Sequence, residues 1–185
     1  MNYGPRFETS NTKKWENDFY DRLSKRTGLE IKRAKEFAHC DADLHNWRGV
    51  CATTEYRRRF CDIWRYWTFW ISAKKVLHGL ERGCRLGVPF IYCVQWVEGD
   101  FYYHFKPGAA LQLNWSWGGH SLGKMRYEYD REWGINISPA DFKGFTFEQD
   151  LFFWTCLHAG AVTDGYTEKE LQEVKRKAFQ KQPSV

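Results

Sequence analysis

The sequence lacks any hydrophobic run long enough to cross a membrane, and its N-terminus lacks the apolar core of a signal peptide. We therefore expect a cytoplasmic protein that has no contact with a membrane. The sequence also lacks a CxxC pair, an internal repeat and a low-complexity segment. Its six cysteines lie mostly within apolar runs, which indicates buried, reduced thiols rather than a disulfide framework.

A zinc site is the alternative role for some of these cysteines. Zinc binds the side chains of Cys and His, and the candidate ligands are His39, Cys40, His45, Cys51 and Cys61. Their spacings match no familiar zinc-binding motif. Buried thiols are therefore the preferred interpretation.

Length and composition indicate one compact domain. A chain of 185 residues is long enough to bury a core, and its 43% hydrophobic and 28% charged residues exclude a long disordered protein. Aromatic residues make up 18% of the chain and include ten Trp. We expect most of these rings in the core, because each buries a large apolar area. The alternative is that some of them stack on nucleic-acid bases.

The net charge of +5 fits an anionic partner without requiring one. Positive charge of this size favours non-specific encounter with nucleic acid through release of counterions. The basic residues are clustered rather than mixed with acids, for example from Arg57 to Arg59 and at Arg82 and Arg85. A cluster of this kind is also typical of an ordinary solvated surface.

Hydrophobic periodicity, caps and turn residues predict an order of helices and strands. The predicted helices are 13–26, 73–86 and 167–180, and the predicted strands are 29–38, 50–56, 63–71, 88–97, 101–105, 111–117, 125–130 and an edge strand at 135–137. This order indicates an α/β protein with a central mixed β-sheet flanked by helices. We expect a main domain over residues 1–147 and a C-terminal helical appendage over 148–185 that packs on the same domain.

Acidic side chains flank a short turn in the first half of the chain. Asp41 and Asp43 precede the turn at 46–49, and the predicted strand after the turn carries Glu55 beside Arg57. A hairpin of this kind can bring two carboxylates and a cation to one place. Mg2+ binds carboxylate oxygens and retains several waters, so the pattern predicts a minimal metal site suited to phosphodiester hydrolysis.

The order of these features resembles the PD-(D/E)XK nuclease superfamily, in particular small phage nucleases and resolvase-like members. The resemblance covers roughly residues 12–143 and depends on a helix, a hairpin with Asp and Glu-x-Arg, the segment WISAKKV before a helix, and the strand VPFIYCVQW. It implies a restriction-endonuclease-like fold and a nuclease dependent on Mg2+ or Mn2+, and it leaves open whether cutting is internal or from an end. It implies DNA as the partner, bound largely without sequence preference, and leaves a homodimer open. If the chain is viral, the host cytoplasm is its expected location.

The resemblance also implies roles for individual carboxylates. Asp43 would be the first metal ligand, because it leads directly into an apolar position, with Asp41 as the alternative. Glu55 would be the second ligand, and the peptide carbonyl of Tyr56 would complete the metal shell. Glu16, at the edge of the buried face of the first helix, would be the carboxylate that many members add from that helix.

The chain departs from the superfamily at the third motif position, where Arg57 replaces the expected Lys. Arg retains the charge and can clamp a phosphate, but it does not give up its proton. Lys74 or Lys75, at the start of the following helix, would supply a displaced lysine. Together with Arg57, Arg58 and Arg59 these lysines would hold the DNA backbone.

Two other functions remain open at this point. The first is a nuclease-fold protein that has lost its chemistry and binds nucleic acid or a protein partner, which the arginine at position 57 supports. The second is an interaction module whose surface Trp residues engage another protein. Each acidic residue also has an ordinary interpretation, as a turn residue or as an exposed helix or strand residue.

Overall fold

The computed structural model describes residues 10–34, 40–108, 112–119, 131–144, 148–162 and 165–179. Within these residues it contains four α-helices and nine β-strands. The helices are α1 (Ser10–Thr27), α2 (Ala73–Leu86), α3 (Glu148–Ala159) and α4 (Glu168–Phe179). The strands are β1 (Glu30–Arg33), β2 (Ala42–Asn46), β3 (Gly49–Arg58), β4 (Phe69–Ser72), β5 (Phe90–Trp96), β6 (Gly99–Phe105), β7 (Asn114–Gly119), β8 (Arg131–Ile137) and β9 (Lys143–Gly144).

The strands form a central mixed sheet and a smaller second sheet. The central sheet has six strands in the order β1-β2-β3-β5-β6-β9, and the second has three in the order β4-β8-β7. All pairs in the central sheet are antiparallel except β3 and β5, which are parallel. A parallel pair requires a crossover, and here the chain returns through β4 and α2. The α/β class with a mixed, restriction-endonuclease-like central sheet is confirmed.

Alternation along β3 directs its side chains to two different helices. Tyr20 of α1 hydrogen-bonds the Thr54 hydroxyl at 2.8 Å, and Phe19 stacks on Tyr56 with ring centroids 4.5 Å apart. Glu55 lies between these two strand positions and therefore points to the opposite face, where Lys75 of α2 reaches it. The helices α1 and α2 thus cover opposite faces of the sheet.

The strand predicted over residues 63–71 is wrong in most of its length. Ile63–Arg65 forms a 3-10 helix, and only the later part forms β4. The alternating rings looked like a strand covered on both faces, but Trp64 and Trp67 are exposed. Their spacing therefore did not reflect burial.

One further strand prediction is corrected by the structure, and two others fall partly or wholly on residues that the structure does not describe. Residues 135–137 belong to β8, which is the central strand of the second sheet rather than an edge strand. Within the predicted strand 29–38, Glu30–Arg33 is extended, while 35–39 lies outside the described residues. The predicted strand 125–130 also lies outside the described residues.

The C-terminal helices pack on both sides of the molecule. α3 contacts α1, β2 and β3, and α4 contacts α2. The boundary at residue 147 stays a prediction. None of the helices among the described residues has the length and hydrophobicity that a membrane span would need.

Candidate active site

The β2–β3 hairpin brings the carboxylate of Asp41 beside the backbone of β3. The Asp41 amide donates to the carbonyl of Thr54 at 3.0 Å, and the Tyr56 amide donates to Asp41 Oδ2 at 2.7 Å. Asp41 therefore lies across from Glu55, the residue between these two strand positions. Hairpin register produces this neighbour pair from residues fourteen positions apart in the sequence.

Glu55 is a fully buried carboxylate that faces two cations. Its exposed fraction is 0%, and its Oε1 lies 2.6 Å from Arg57 Nη2 and 2.9 Å from Lys75 Nζ. Both contacts are ion pairs to the same oxygen. In the described part of the chain, Glu55 Oε2 has no hydrogen-bond partner. A buried carboxylate oxygen without a partner is costly unless a ligand satisfies it.

Burial raises the pKa of Glu55 to about 7. The negative charge of Asp41 also raises this pKa, whereas Arg57 and Lys75 lower it, and the value of about 7 is the net result. For Arg57, burial is the largest effect and would lower the pKa, but the electrostatic contributions of Glu55, Tyr92, Asp41 and Glu16 together outweigh it and raise the pKa. In this site the carboxyl group of Glu55, which resists ionisation, therefore lies next to the guanidinium of Arg57, which stays charged.

The raised pKa of Glu55 predicts a pH dependence of stability in the metal-free protein. The folded chain keeps the Glu55 proton up to about pH 7, while the ordinary pKa is 4.5. The stabilisation is thus complete below pH 4.5 and is lost as the pH rises through about 7. Its size is on the order of 3 kcal/mol, since one pKa unit corresponds to about 1.4 kcal/mol.

Denaturant unfolding with a chelator, compared between pH 4.5 and pH 8, measures this loss against the variant Glu55→Gln. We expect the wild type to lose stability relative to the variant across this range, because only the wild type has to ionise position 55. Parallel profiles for the two proteins would mean that Glu55 titrates near its ordinary pKa.

The guanidinium of Arg57 bridges two groups of the same site. Its Nη1 donates to the carbonyl oxygen of Tyr56 at 3.2 Å, while its Nη2 contacts Glu55 Oε1. The carbonyl of Tyr56 and the carboxylate of Glu55 are two of the groups expected to surround a metal. Arg57 thus occupies, with its own positive charge, a position beside the oxygens that a metal ion would contact.

Asp43 of β2 lies two residues after Asp41 and is engaged by α2. Arg82 Nε donates to Asp43 Oδ1 at 2.8 Å, and Arg82 Nη2 also contacts Oδ2. This is a paired fork geometry that satisfies both oxygens of Asp43. The sequence analysis did not identify Arg82 as a partner. Arg82 follows Lys75 by seven residues, which is two turns of a helix, so both side chains lie on the same helix face. This spacing was the signal that could have identified Arg82 as a residue of the site.

Glu16 is nearly buried on α1 and forms an ion pair with Arg33 of β1. Its helix covers the face of the sheet that carries Thr54 and Tyr56, whereas Glu55 points to the α2 face. The structure therefore places Glu16 on the other side of the sheet from the carboxylate of Glu55. Its catalytic role stays a prediction.

The remaining basic candidates lie around the end of β3 and the start of α2. The Arg58 guanidinium lies over the rings of Trp15 and Phe60, 4.4 Å and 5.0 Å from their centroids. Arg59 lies over Phe69 at 5.0 Å. Of the two lysines at the start of α2, Lys75 reaches Glu55, while Lys74 is exposed to solvent.

The residues at the hairpin fit a Mg2+ ion better than a zinc ion. Asp41, the unpartnered oxygen of Glu55 and the carbonyl of Tyr56 are hard oxygen donors, and Mg2+ is commonly bound by one or two carboxylates with waters and phosphate. The described residues contain no group of three or more His, Cys, Asp or Glu side chains placed to hold a metal. Of the alternative zinc ligands, His39 lies outside the described residues, and Cys51 donates to the Leu44 carbonyl at 3.4 Å.

Comparison with known protein families gives a match over most of the chain. The model of a family described as "phage putative PDDEXK endonuclease" matches residues 2–132. This stretch contains all of the site residues predicted from the sequence. Searches of curated proteins and of solved structures gave no significant match.

Proposed function

Since the chain belongs to the phage PDDEXK endonuclease family, we propose that it hydrolyses DNA phosphodiester bonds in a reaction that depends on Mg2+ or Mn2+. The observation that carries this proposal is the buried carboxylate of Glu55. It has one oxygen without a hydrogen-bond partner in the described residues, and Asp41 and two cations lie beside it. A fold that needed only stability would gain from an apolar residue here.

Asp41 and Glu55 would hold the metal, with the carbonyl of Tyr56 as a third donor. When bound, the ion supplies an activated water and stabilises negative charge on the phosphate. The ammonium group of Lys75 contacts the carboxylate of Glu55 and would stabilise negative charge that develops on the phosphate. Arg57, which contacts Glu55 and the carbonyl of Tyr56, has a guanidinium that would clamp a phosphate oxygen of the bound DNA.

The positive residues around the site would hold the DNA backbone. Arg57, Arg58 and Arg59 are consecutive at the end of β3 and just after it, and Lys74 and Lys75 are consecutive at the start of α2. Contacts to phosphates fix the position of a protein on DNA but carry no sequence information, so binding would be largely independent of sequence and sensitive to salt. Cutting both strands of a duplex would use two copies of the chain.

A second function is favoured by the contacts of Arg57. Its guanidinium already bridges Glu55 and the carbonyl of Tyr56, and a permanent cation there competes with a metal for the same oxygens. A chain in which this contact persists would bind DNA without cutting it. The alternative function is therefore a nuclease-fold protein that binds nucleic acid or a protein partner.

Cleavage of supercoiled and linear DNA by the wild type and by Arg57→Lys separates these functions. We expect the wild type to cut with Mg2+ or Mn2+ and not with a chelator. We expect Arg57→Lys to cut about tenfold faster or more at limiting metal, because a lysine cannot bridge both oxygens and second-shell contacts commonly change metal affinity by that factor. DNA binding, measured in parallel without metal, is the control for folding.

The remaining outcomes favour other functions. Salt-sensitive DNA binding without cutting by either protein would support the binder. Cutting by Arg57→Lys alone would mean that the guanidinium blocks the metal site of the natural chain. Absence of both cutting and binding would overturn the nucleic-acid functions and leave an interaction with another protein.

A further inference from the structure

Four large aromatic side chains are exposed in the connection between β3 and β4, namely Phe60, Trp64, Tyr66 and Trp67, and the last three lie within four residues of one another. We call residues 59–68 the aromatic loop. Trp64 is 68% exposed, Tyr66 is 65% exposed and Trp67 is 96% exposed. Aromatic rings ordinarily contribute to stability by being buried, and a group of exposed rings marks an interaction site.

The backbone of the aromatic loop is anchored although its rings are exposed. The Arg59 amide donates to the Gln95 carbonyl at 2.8 Å, and the amide of the buried Ile63 donates to Glu98 Oε1 at 3.0 Å. The Val97 amide donates to the carbonyl of Cys61 at 3.4 Å. These bonds fix the loop to the β5–β6 hairpin, so the exposure of the rings is a property of the folded state.

Both ends of the aromatic loop join elements that carry the candidate active site. The loop begins four residues after Glu55 on β3, a distance of roughly 13 Å along an extended strand. At its other end β4 runs directly into α2, whose third residue is Lys75. The ion pair between Lys75 and Glu55 ties these two elements together at 2.9 Å. A strand of DNA held at the carboxylates would therefore have the exposed rings within reach.

The charge of this region matches a nucleic acid. Residues 57–66 contain Arg57, Arg58, Arg59 and Arg65 against a single acid, Asp62. Single-stranded nucleic acids are bound by grooves that pair positive side chains for the backbone with aromatic rings for the bases. Bases within a duplex are already stacked and cannot use such rings unless they are splayed out.

We propose that the aromatic loop is a platform on which unpaired bases of single-stranded DNA stack next to the active site. The inference rests on the proposed function, and it defines the substrate of that function as DNA that contains single-stranded segments. Trp64, Tyr66 and Trp67 would contact the bases, and the neighbouring arginines would contact the phosphates. Because every base has a π-face, this contact would not depend on sequence.

Binding of a fluorescent 20-nucleotide single strand of mixed sequence and of the matching duplex tests the platform. All proteins carry Glu55→Gln and are measured in chelator, so that no cutting occurs. The test variant adds Trp64→Ala, Tyr66→Ala and Trp67→Ala, and a second variant adds Trp67→Ala alone. The matched control adds Trp47→Ala, because Trp47 is 72% exposed and has Arg48 over its ring at 4.4 Å but lies in the turn at the other end of β3.

The triple variant should bind the single strand at least about tenfold more weakly, because loss of one stacked base corresponds to about fivefold or more. Its affinity for the duplex should change less than twofold, and Trp67→Ala should give an intermediate loss. The slope of affinity against salt should not change, since the rings release no counterions. The Trp47→Ala control should bind like the parent.

Equal losses for single strand and duplex, or unchanged binding of the single strand, would overturn the platform. Unchanged binding of the single strand would instead indicate that the exposed rings contact a protein partner. Circular dichroism and unfolding of each variant establish that it is folded, because truncation of side chains that are largely exposed should not disturb the fold. Single-strand binding that depends on the rings, in a chain that cuts no DNA with metal, would overturn the proposed hydrolysis and leave the platform intact.

Discussion

Glu55→Gln should reduce metal-dependent DNA cleavage by about 10³-fold or more, because a metal site contributes several kcal/mol of transition-state stabilisation. The substitution keeps the size of the side chain and removes the charge of a fully buried carboxylate. An amide also holds a divalent cation poorly at this place. DNA binding without metal should change little, since the basic residues that contact phosphates remain. Initial rates of supercoiled DNA cleavage across a metal titration measure the effect.

The matched control for Glu55→Gln is Glu173→Gln. Glu173 pairs with Arg176 on the surface of α4, so it undergoes the same chemical change away from the hairpin, and the rate should remain within twofold. Cleavage by Glu55→Gln at the wild-type rate would contradict the assignment of the active site.

The same assay separates the two aspartates. Asp41→Asn should lose cleavage to a similar extent, because Asp41 Oδ2 lies at the Tyr56 amide beside Glu55. Asp43→Asn leaves Arg82 without its ion pair, so its main cost should be stability rather than chemistry. Loss of cleavage in Asp43→Asn alone, in a fully folded protein, would show that Asp43 is the metal ligand that the resemblance implied.

Lys75→Met should lower cleavage by about 10²- to 10³-fold, the usual effect of removing one preorganised group that stabilises charge in the transition state. Lys75 Nζ lies 2.9 Å from Glu55 Oε1, and methionine fills a similar volume without charge. Lys74→Met is the matched control, because Lys74 is the preceding residue of the same helix and is exposed. It should lose DNA affinity only.

Single-turnover rates at saturating DNA distinguish the chemical step from binding in both lysine variants. We expect Lys75→Met to be slow at saturation and Lys74→Met to recover the wild-type rate. Equal rates for the two variants would remove the catalytic role of Lys75 and leave both lysines as phosphate contacts.

Part of the fold follows from local sequence patterns. The helix predicted over 73–86 is α2 itself, because its apolar stripe and the glycine after it are local signals. The hairpin of β5 and β6 was also predicted, since a continuous apolar run followed by a short turn is typical of a buried strand pair. The rings at 63–71 failed as a strand because alternation of aromatic residues does not reveal whether any partner covers them.

The sequence by itself determined the class of the fold, the family of the chain and several of its elements, such as α2 and the β5–β6 hairpin, since the signals for these elements lie close together in the chain. Only the tertiary structure decided which neighbours the site residues have. The register of β2 against β3 places Asp41 at Glu55, and the packing of α2 turns Lys75 rather than Lys74 to the carboxylate. Register and helix rotation result from long-range packing, so two adjacent lysines with the same local sequence have different environments.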